Sequence, residues 1–142
     1  MSSKLEVSKE WFRRVWADED EDAIREMFVP DGLARGLGQK PLEGPEGFIG
    51  FHRLFLSQFK DVSVEVDRYM EDGDWISLMI IIRAKDRHKD VAVETTGQAY
   101  VRIVDGKLAE AYNHLDFLSL YEQVDLLPAA TLEKCLQGVR VG

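Results

Sequence analysis

Cysteine is almost absent from this sequence of 142 residues, in which Cys135 is the one cysteine. A single thiol excludes an intrachain disulfide and fits the reducing cytoplasm, where we expect the protein to reside. Histidine is also scarce: His52, His88 and His114 lie far apart, without the spacing of a zinc site. We therefore expect no structural metal, and no motif points to a cofactor.

Long apolar runs and an excess of positive charge are missing too. No apolar run approaches the roughly 20 residues that span a bilayer, and the opening residues MSSKLEVSKE lack the apolar core of a secretory signal. With 26 acidic and 18 basic residues the formal net charge is -8, and such a surface repels phosphate backbones and anionic lipids. We expect neither a nucleic acid nor a membrane as a partner.

The composition that remains is that of a globular protein, with 45% hydrophobic and 31% charged residues. No linker, low-complexity tract or internal repeat interrupts the chain. This length and composition predict one domain, spanning residues 1–142, with one substantial core.

Apolar residues recur with a helical period in the first part of the chain. Asp18 is expected to cap a short second helix, in which Ile24, Met27 and Phe28 share a face. Residues 29–44, VPDGLARGLGQKPLEG, are rich in glycine and proline and are expected to be irregular. A third helix should begin at Pro45. The first and third helices have apolar or aromatic stripes: Leu5, Phe12, Val15 and Trp16, and Phe48, Phe51, His52, Phe55 and Phe59.

From Asp61 onward the period of the pattern changes to two, which indicates β-strands. Turn signals at Asp72-Gly73 and Asp105-Gly106, with a charged loop over 85–90, divide this region into four antiparallel strands. Short helical segments should follow Asp116 and cover 131–138. Helices followed by a meander of strands predict an α+β fold, with the helices packed on one face of the sheet.

Strand alternation assigns the side chains of the last two strands to opposite faces. Ala99, Ala111 and Asn113 fall on one face, where small side chains leave room for a pocket. Tyrosine and arginine are enriched at protein interfaces, so the other face is expected to form a homodimer. That outer face contains Tyr100, Arg102, Glu110, Tyr112 and His114.

Two long segments of the sequence carry a family resemblance. They are GPEGFIGFHRLFLSQFKDVSVEVD with the following DGDWISLMIIIRA, and VDGKLAEAYNHLDFLSLYEQVDLLP. Both resemble the SnoaL-like polyketide cyclase family of the nuclear transport factor 2-like superfamily. The resemblance covers most of residues 8–128 and leaves 129–142 as a C-terminal helical extension. It implies a cystatin-like α+β fold: a cone-like, curved antiparallel sheet wrapped around the N-terminal helices, with an internal pocket.

The resemblance fails at the position where the cyclases have a catalytic acid. This sequence has Asn113 there, and Tyr112 replaces the preceding tryptophan, whereas Asp116 matches the second acidic position. An amide has no proton to exchange near neutral pH. Asn113 is therefore expected to hydrogen-bond a ligand carbonyl or hydroxyl and to stabilise an oxyanion, or else to be a buried amide bonded to its neighbours.

His52 and Asp116 complete the candidate catalytic residues. His52 would move the proton in an acid–base reaction, or it would be a core histidine with one hydrogen bond. For Asp116, capping the helix FLSLYEQ is favoured over catalysis. The expected ligand-binding residues, each with ordinary core packing as its alternative, are Phe12, Trp16, Phe48, Phe55, Trp75, Ala99 and Ala111.

Three functions stay open on these grounds. The first is an enzyme of the cyclase, isomerase or hydrolase kind that acts on a small, mostly apolar organic molecule. The second is a non-catalytic ligand-binding or accessory protein that lost its acid at position 113. The third is a dimeric interaction domain without a ligand. The sequence names no ligand, because this fold supports unrelated chemistries.

Overall fold

The computed structural model describes residues 3–142, so the first two residues of the predicted domain lie outside the described part. A π-helical turn, Phe12–Ala17, extends the first helix. The α-helices are Lys4–Trp11 (α1), Glu21–Met27 (α2), Gly44–Gln58 (α3), Phe117–Gln123 (α4) and Thr131–Leu136 (α5). The strands are Phe28–Arg35 (β1), Leu42–Glu43 (β2), Phe59–Asp72 (β3), Trp75–Asp86 (β4), Ala92–Val104 (β5) and Lys107–Leu115 (β6).

The prediction of an α+β fold with a curved sheet around N-terminal helices is confirmed. The six strands form one sheet in the order β2-β1-β6-β5-β4-β3, and the four predicted strands are antiparallel neighbours within it. Within residues 3–142 the sheet does not close into a barrel, because β2 and β3 remain its two edges. Its concave face is covered by the helices, and the core lies between these two layers.

The prediction of irregular chain over 29–44 is wrong, because β1 and β2 lie there. β1 pairs in parallel with β6, and β2 pairs antiparallel with β1. Gly32 allows this strand to pass close to its own start, since a Cβ at that position would overlap the ring of Phe28. Glycine and proline are tolerated at bulges and sheet margins, so their presence did not exclude a strand.

The boundaries of the second helix also differ from the prediction. Asp20, not Asp18, is the N-cap of α2, and its side chain accepts a hydrogen bond from the Asp22 amide at 3.0 Å. Phe28 lies in β1 rather than on the helix. The third helix begins at Gly44, with Pro45 in its first turn as predicted. The last residue of its aromatic stripe, Phe59, already belongs to β3.

The hairpins orient the inner and outer faces of the sheet. The turn between β5 and β6 consists of Asp105 and Gly106, whose φ angles of 53° and 74° are both left-handed, as this tight turn requires. The central strand β4 buries Ile76, Leu78 and Ile80 on the inner face. Burial of each such side chain contributes about 1.5–3 kcal/mol. The register of β5 and β6 then places Ala99 opposite Asn113, facing the helices.

Candidate functional site

A cavity of about 80 Å³ lies between the helices and the inner face of the sheet. Its sheet side is aliphatic, with small residues Ala99 and Ala111 on β5 and β6. Its helix side is aromatic because the stripes on the first and third helices point at each other across it. Eight aromatic residues line the cavity: Trp11, Phe12, Trp16, Phe28, Phe48, Phe51, Phe55 and Phe117.

Three polar side chains also line the cavity, and each makes one hydrogen bond to a backbone carbonyl. Ser8 Oγ donates to Lys4 at 2.8 Å, and Thr95 Oγ1 donates to Asp116 at 2.9 Å. Asn113 Nδ2 donates to Arg35 at 2.9 Å. Of the residues between 3 and 142 that line this cavity, none has an ionisable side chain. The polar groups of the lining are therefore two hydroxyls and one carboxamide, which carry no charge near neutral pH.

Asn113 is fixed in the lining by backbone packing on both sides of β6. Arg35, whose carbonyl accepts from the amide, is paired with Tyr112 in the parallel ladder. The next residue, Gly36, has φ 89°, and a Cβ there would overlap the Asn113 carbonyl oxygen. On the other side, Gly97 leaves no space for a Cβ beside the His114 carbonyl, which would be 2.8 Å away. The position of Asn113 is thus set by close backbone contacts.

His52 lies outside the cavity lining, although the sequence placed it among the candidate catalytic residues. It is 1% exposed, and its Nε2 lies 2.7 Å from the carbonyl oxygen of Val15. Its ring packs against the ring of Trp16, a residue of the lining, with 5.0 Å between centroids. The helical stripe of α3 is wide enough that its members reach different surroundings: Phe48, Phe51 and Phe55 reach the cavity and His52 does not.

Asp116 is likewise outside the lining and acts as the N-cap of α4. Its Oδ1 accepts from the Ser119 amide at 2.9 Å, and its own carbonyl accepts from Thr95. This carboxylate is exposed, at the end of β6 where the chain turns into the helix. The helix dipole and the free amides of the first turn account for an acid at this position.

Among the candidate ligand-binding residues, Trp75 is on the opposite face of the sheet. Its ring stacks on that of Tyr100, with centroids 4.5 Å apart, and the register pairs it with Arg102. Strand β4 is apolar on both faces, so alternation alone did not show which side faced the helices. The other six candidates all line the cavity: Phe12, Trp16, Phe48, Phe55, Ala99 and Ala111.

Several lining residues were not singled out from the sequence. Thr95 shares the inner face of β5 with Ala99, so strand alternation could have identified it. Ser8 precedes Phe12 by one helical turn, which is a weaker signal. Leu37 lies in the connection between β1 and β2 and has no periodic pattern to reveal it.

A polar network lies on the outer face of the sheet. Arg102 Nε donates to Glu110 at 3.1 Å, and the hydroxyl of Tyr112 donates to the same carboxylate. The hydrogen bond from Tyr112, and next that from Arg102, hold the pKa of Glu110 below its usual value. The same bond to Glu110, helped by desolvation, raises the pKa of Tyr112.

Metal-binding clusters and membrane-spanning helices are both absent from residues 3–142. In that range no group of three or more histidine, cysteine, aspartate or glutamate side chains is arranged to hold a metal ion. None of the helices found there has the length and apolar character needed to cross a membrane.

The fold is that of nuclear transport factor 2-like proteins, with a partly open cavity between its sheet and its helices. Residues 9–111 match the family model of the SnoaL-like domain, and the chain belongs to that family. No curated protein sequence matches the chain.

Solved structures with the same fold are only distantly related in sequence. A proposed SnoaL-like polyketide cyclase from Jannaschia sp. CCS1 has 18% identity and a TM-score of 0.76, and the match covers 90% of this chain and 99% of that one. IdmH, a proposed polyketide cyclase from Streptomyces antibioticus, has 17% identity and a TM-score of 0.76, and the match covers 87% of this chain and 99% of that one. A protein from Catenulispora acidiphila with a ketosteroid isomerase-like fold, in complex with trimethylamine, has 15% identity and a TM-score of 0.74. That match covers 85% of this chain and 93% of the other. Identities this low show the fold alone.

Proposed function

We propose that the protein binds a small, uncharged, largely apolar organic molecule bearing a carbonyl or hydroxyl group, and that it does so without acid–base catalysis by its own side chains. The observation that carries this proposal is the composition of the cavity lining: aromatic and aliphatic side chains with Ser8, Thr95 and Asn113, and no ionisable group among the described residues there. The chain then acts as a binding or accessory protein of the SnoaL-like family.

The missing charges favour a neutral ligand. An ion that enters this cavity loses its hydration shell and finds no opposite charge on the lining, which is strongly unfavourable. A neutral ring loses little hydration and gains contacts with the aromatic side. The free volume of about 80 Å³ equals that of about three water molecules in the liquid, so it is smaller than a six-membered ring needs. Such a ring would have to displace the half-buried rings of Phe51 or Phe55.

Asn113 is the group best suited to orient such a ligand. One N–H of its amide is committed to Arg35, and the amide retains a second N–H and a carbonyl oxygen with two lone pairs. The second N–H suits a ligand carbonyl, and the oxygen suits a ligand hydroxyl. The hydroxyl oxygens of Ser8 and Thr95 donate to backbone carbonyls, so they offer a ligand only their acceptor lone pairs.

A second candidate is a cyclase-like or isomerase-like enzyme, favoured by the fold shared with proposed polyketide cyclases. In that case Asn113 would donate its free N–H to a developing oxyanion. His52 does not line the cavity, so the proton would have to move between the substrate and water. This version predicts turnover that depends on Asn113 and not on His52.

We also propose that the protein is a homodimer through the outer face of the sheet. Apolar and aromatic side chains are exposed there, with Met79 at 44% and Tyr100 at 45% of their full accessible area. Trp75 and Tyr112 lie beside Tyr100 in an aromatic stack. Aromatic residues, methionine and arginine are the types enriched at protein interfaces.

The binding proposal is tested with three six-membered rings that differ in charge: cyclohexanone, cyclohexylammonium and cyclohexanecarboxylate. Binding is measured by titration followed in ¹⁵N-resolved NMR spectra of the tryptophan indoles. We expect cyclohexanone to shift the Trp16 resonance and the two ions to leave it unchanged, because only the neutral ring enters without losing strong hydration. Tight binding of either ion, or no binding of cyclohexanone, would contradict the proposal.

A matched pair of variants locates the binding. Ala111→Leu places a larger side chain in the cavity, whereas Ala109→Leu makes the same change on the same strand outside the lining. We expect the first variant to lose cyclohexanone binding while it remains folded, and the second to bind like the wild type. Equal binding by both variants would place the ligand elsewhere.

A further inference from the structure

The π-helical turn Phe12–Ala17 forms part of the cavity wall and has an unusual set of backbone bonds. The Asp18 amide donates to the Arg13 carbonyl at 2.8 Å, a span of five residues, and the Asp20 amide donates to Arg14 at 3.0 Å. The following carbonyl, that of Val15, accepts from His52 Nε2 at 2.7 Å. Carbonyls at the end of a helix need partners from outside it, and here α3 supplies one.

This bond connects directly to the aromatic side of the cavity. Val15 is fully buried, and the ring centroid of the next residue, Trp16, lies 5.0 Å from that of His52 and 5.4 Å from that of Phe55. Phe12 and Trp16, at the two ends of the turn, both line the cavity. The turn that His52 holds therefore determines where two of the ring side chains are placed.

The surroundings of His52 favour a fixed donor rather than a proton shuttle. A carbonyl can only accept, so Nε2 must bear the proton. Among residues 3–142 no side chain or backbone group is hydrogen-bonded to Nδ1, which is buried. The imidazole also does not line the cavity. One buried histidine with one committed N–H and no access to the ligand has the chemistry of a structural support.

We propose that His52 is a positioning residue for the cavity: its N–H holds the Val15 carbonyl, which keeps the π-helical turn wide and keeps Trp16 and Phe12 in the cavity wall. Without this donor the carbonyl would be buried and unpaired, and the turn would tighten toward an α-helix. If the turn loses the one extra residue that the π-helical bond encloses, the side chains before and after it rotate relative to each other. The rotation is about 100°, the angle per residue of an α-helix. The expected loss of ligand binding rests on the proposed function, whereas the expected displacement of Trp16 does not.

The test compares His52→Gln, His52→Leu and His52→Asn, with His88→Gln as a control at an exposed histidine. Glutamine places an N–H near the position of Nε2, leucine has no donor, and the amide of asparagine is too short to reach Val15. In the ligand-free protein we expect the nuclear Overhauser contacts between the Trp16 indole, assigned with Trp16→Phe, and the Phe55 ring to be lost in the leucine and asparagine variants. They should persist in the glutamine and control variants. Contacts are compared rather than chemical shifts, because every variant at position 52 loses the ring current of the imidazole on Trp16.

The second readout is cyclohexanone affinity, measured at matched folded fractions determined by urea unfolding. Loss of the bond should weaken binding about tenfold in the leucine and asparagine variants, and glutamine should restore it. A His52→Gln protein that loses the Trp16–Phe55 contacts overturns the proposal even if His52→Leu does not fold. Retention of those contacts in both donorless variants also overturns it. If the wild type does not bind cyclohexanone, the proposed function fails, and the ligand-free spectra still decide the role of His52.

Discussion

The amide nitrogen of Asn113 lies 2.9 Å from the carbonyl oxygen of Arg35, and this hydrogen bond ties the inner face of β6 to the end of β1. A carbonyl oxygen accepts and does not donate, so an amide suits this position and an ionised carboxylate does not. The family resemblance implied a catalytic acid here. The bond to Arg35 gives a structural reason for the amide that stands in its place.

Asn113→Asp should therefore destabilise the protein at neutral pH, by about 1–3 kcal/mol, because a carboxylate would face a carbonyl oxygen. In the folded state the pKa of the introduced carboxyl should exceed its unfolded value of about 3.9, since only its protonated form can donate. The difference in the free energy of unfolding between the variant and the wild type should then shrink as the pH falls toward about 4. Urea unfolding at several pH values measures this difference.

Asn113→Ala provides the comparison, since it removes the hydrogen bond without adding a charge. The free energy of unfolding that Asn113→Ala loses relative to the wild type should not change over the same pH range. If the aspartate and alanine variants respond equally to pH, the bond to Arg35 is not what selects the amide. Turnover that appears only in Asn113→Asp would instead support the enzymatic candidate.

Asp116→Ala should lower the free energy of unfolding by about 1 kcal/mol, because the first turn of α4 loses its cap. Asp116→Asn should lose much less, since the amide oxygen also accepts from the Ser119 amide. Cyclohexanone affinity should be unchanged in both variants, because the carboxylate does not line the cavity. If both variants lost cyclohexanone binding at unchanged stability, Asp116 would be a residue of the binding site.

The Glu110–Tyr112 bond should stabilise the protein only over a middle range of pH. The depressed pKa of Glu110 means that its contribution is present above the unfolded value of about 4.3 and is lost as the pH falls through the lower folded value. The raised pKa of Tyr112 means that its contribution is present below about 10 and is lost as the pH rises through the higher folded value. Urea unfolding across this range measures both limits.

Tyr112→Phe should reduce stability at pH 7, and the difference from the wild type should narrow below about pH 4.3 and above about pH 10. Tyr100→Phe is the matched control on the neighbouring strand, since the register places Tyr100 directly opposite Tyr112. The same pH profile for both variants would show that the bond to Glu110 does not contribute.

Met79→Lys should convert the proposed homodimer to a monomer in sedimentation velocity experiments. Met79 lies on the outer face in register with Arg68 and Gln98, and a two-fold interface would contain the new charge twice. Leu54→Lys, at a residue 68% exposed on α3, should leave the association unchanged. A wild-type protein that is monomeric at all concentrations would exclude the outer-face dimer.

Periodicity was sufficient for much of the fold. The alternation in β5 placed Ala99 on the inner face, and the helical stripe placed Phe48 and Phe55 toward the cavity. Both patterns depend on one face being apolar and the other polar. Trp75 shows the limit, because β4 is apolar on both sides and its orientation is fixed by pairing with Arg102 on β5.

The elements that sequence reasoning missed depend on contacts with distant parts of the chain. β1 has weak strand propensity and is stabilised by its parallel pairing with β6, some 75 residues further along the chain. The π-helical turn has no sequence signature, and the role of His52 depends on Val15, which comes from another helix. A helical stripe shows that a histidine is buried, but not whether it lines the cavity.

The two glycines that flank β6, Gly36 and Gly97, define how the cavity could be redesigned. Each lies so close to the backbone of this strand that a Cβ would overlap it. A library aimed at new ligands can therefore randomise Ala99, Ala111 and Asn113, whose side chains reach the interior, while positions 36 and 97 stay fixed. The pair of glycines also gives a criterion for choosing natural starting scaffolds: a chain with larger residues at both positions must carry this strand along a different path.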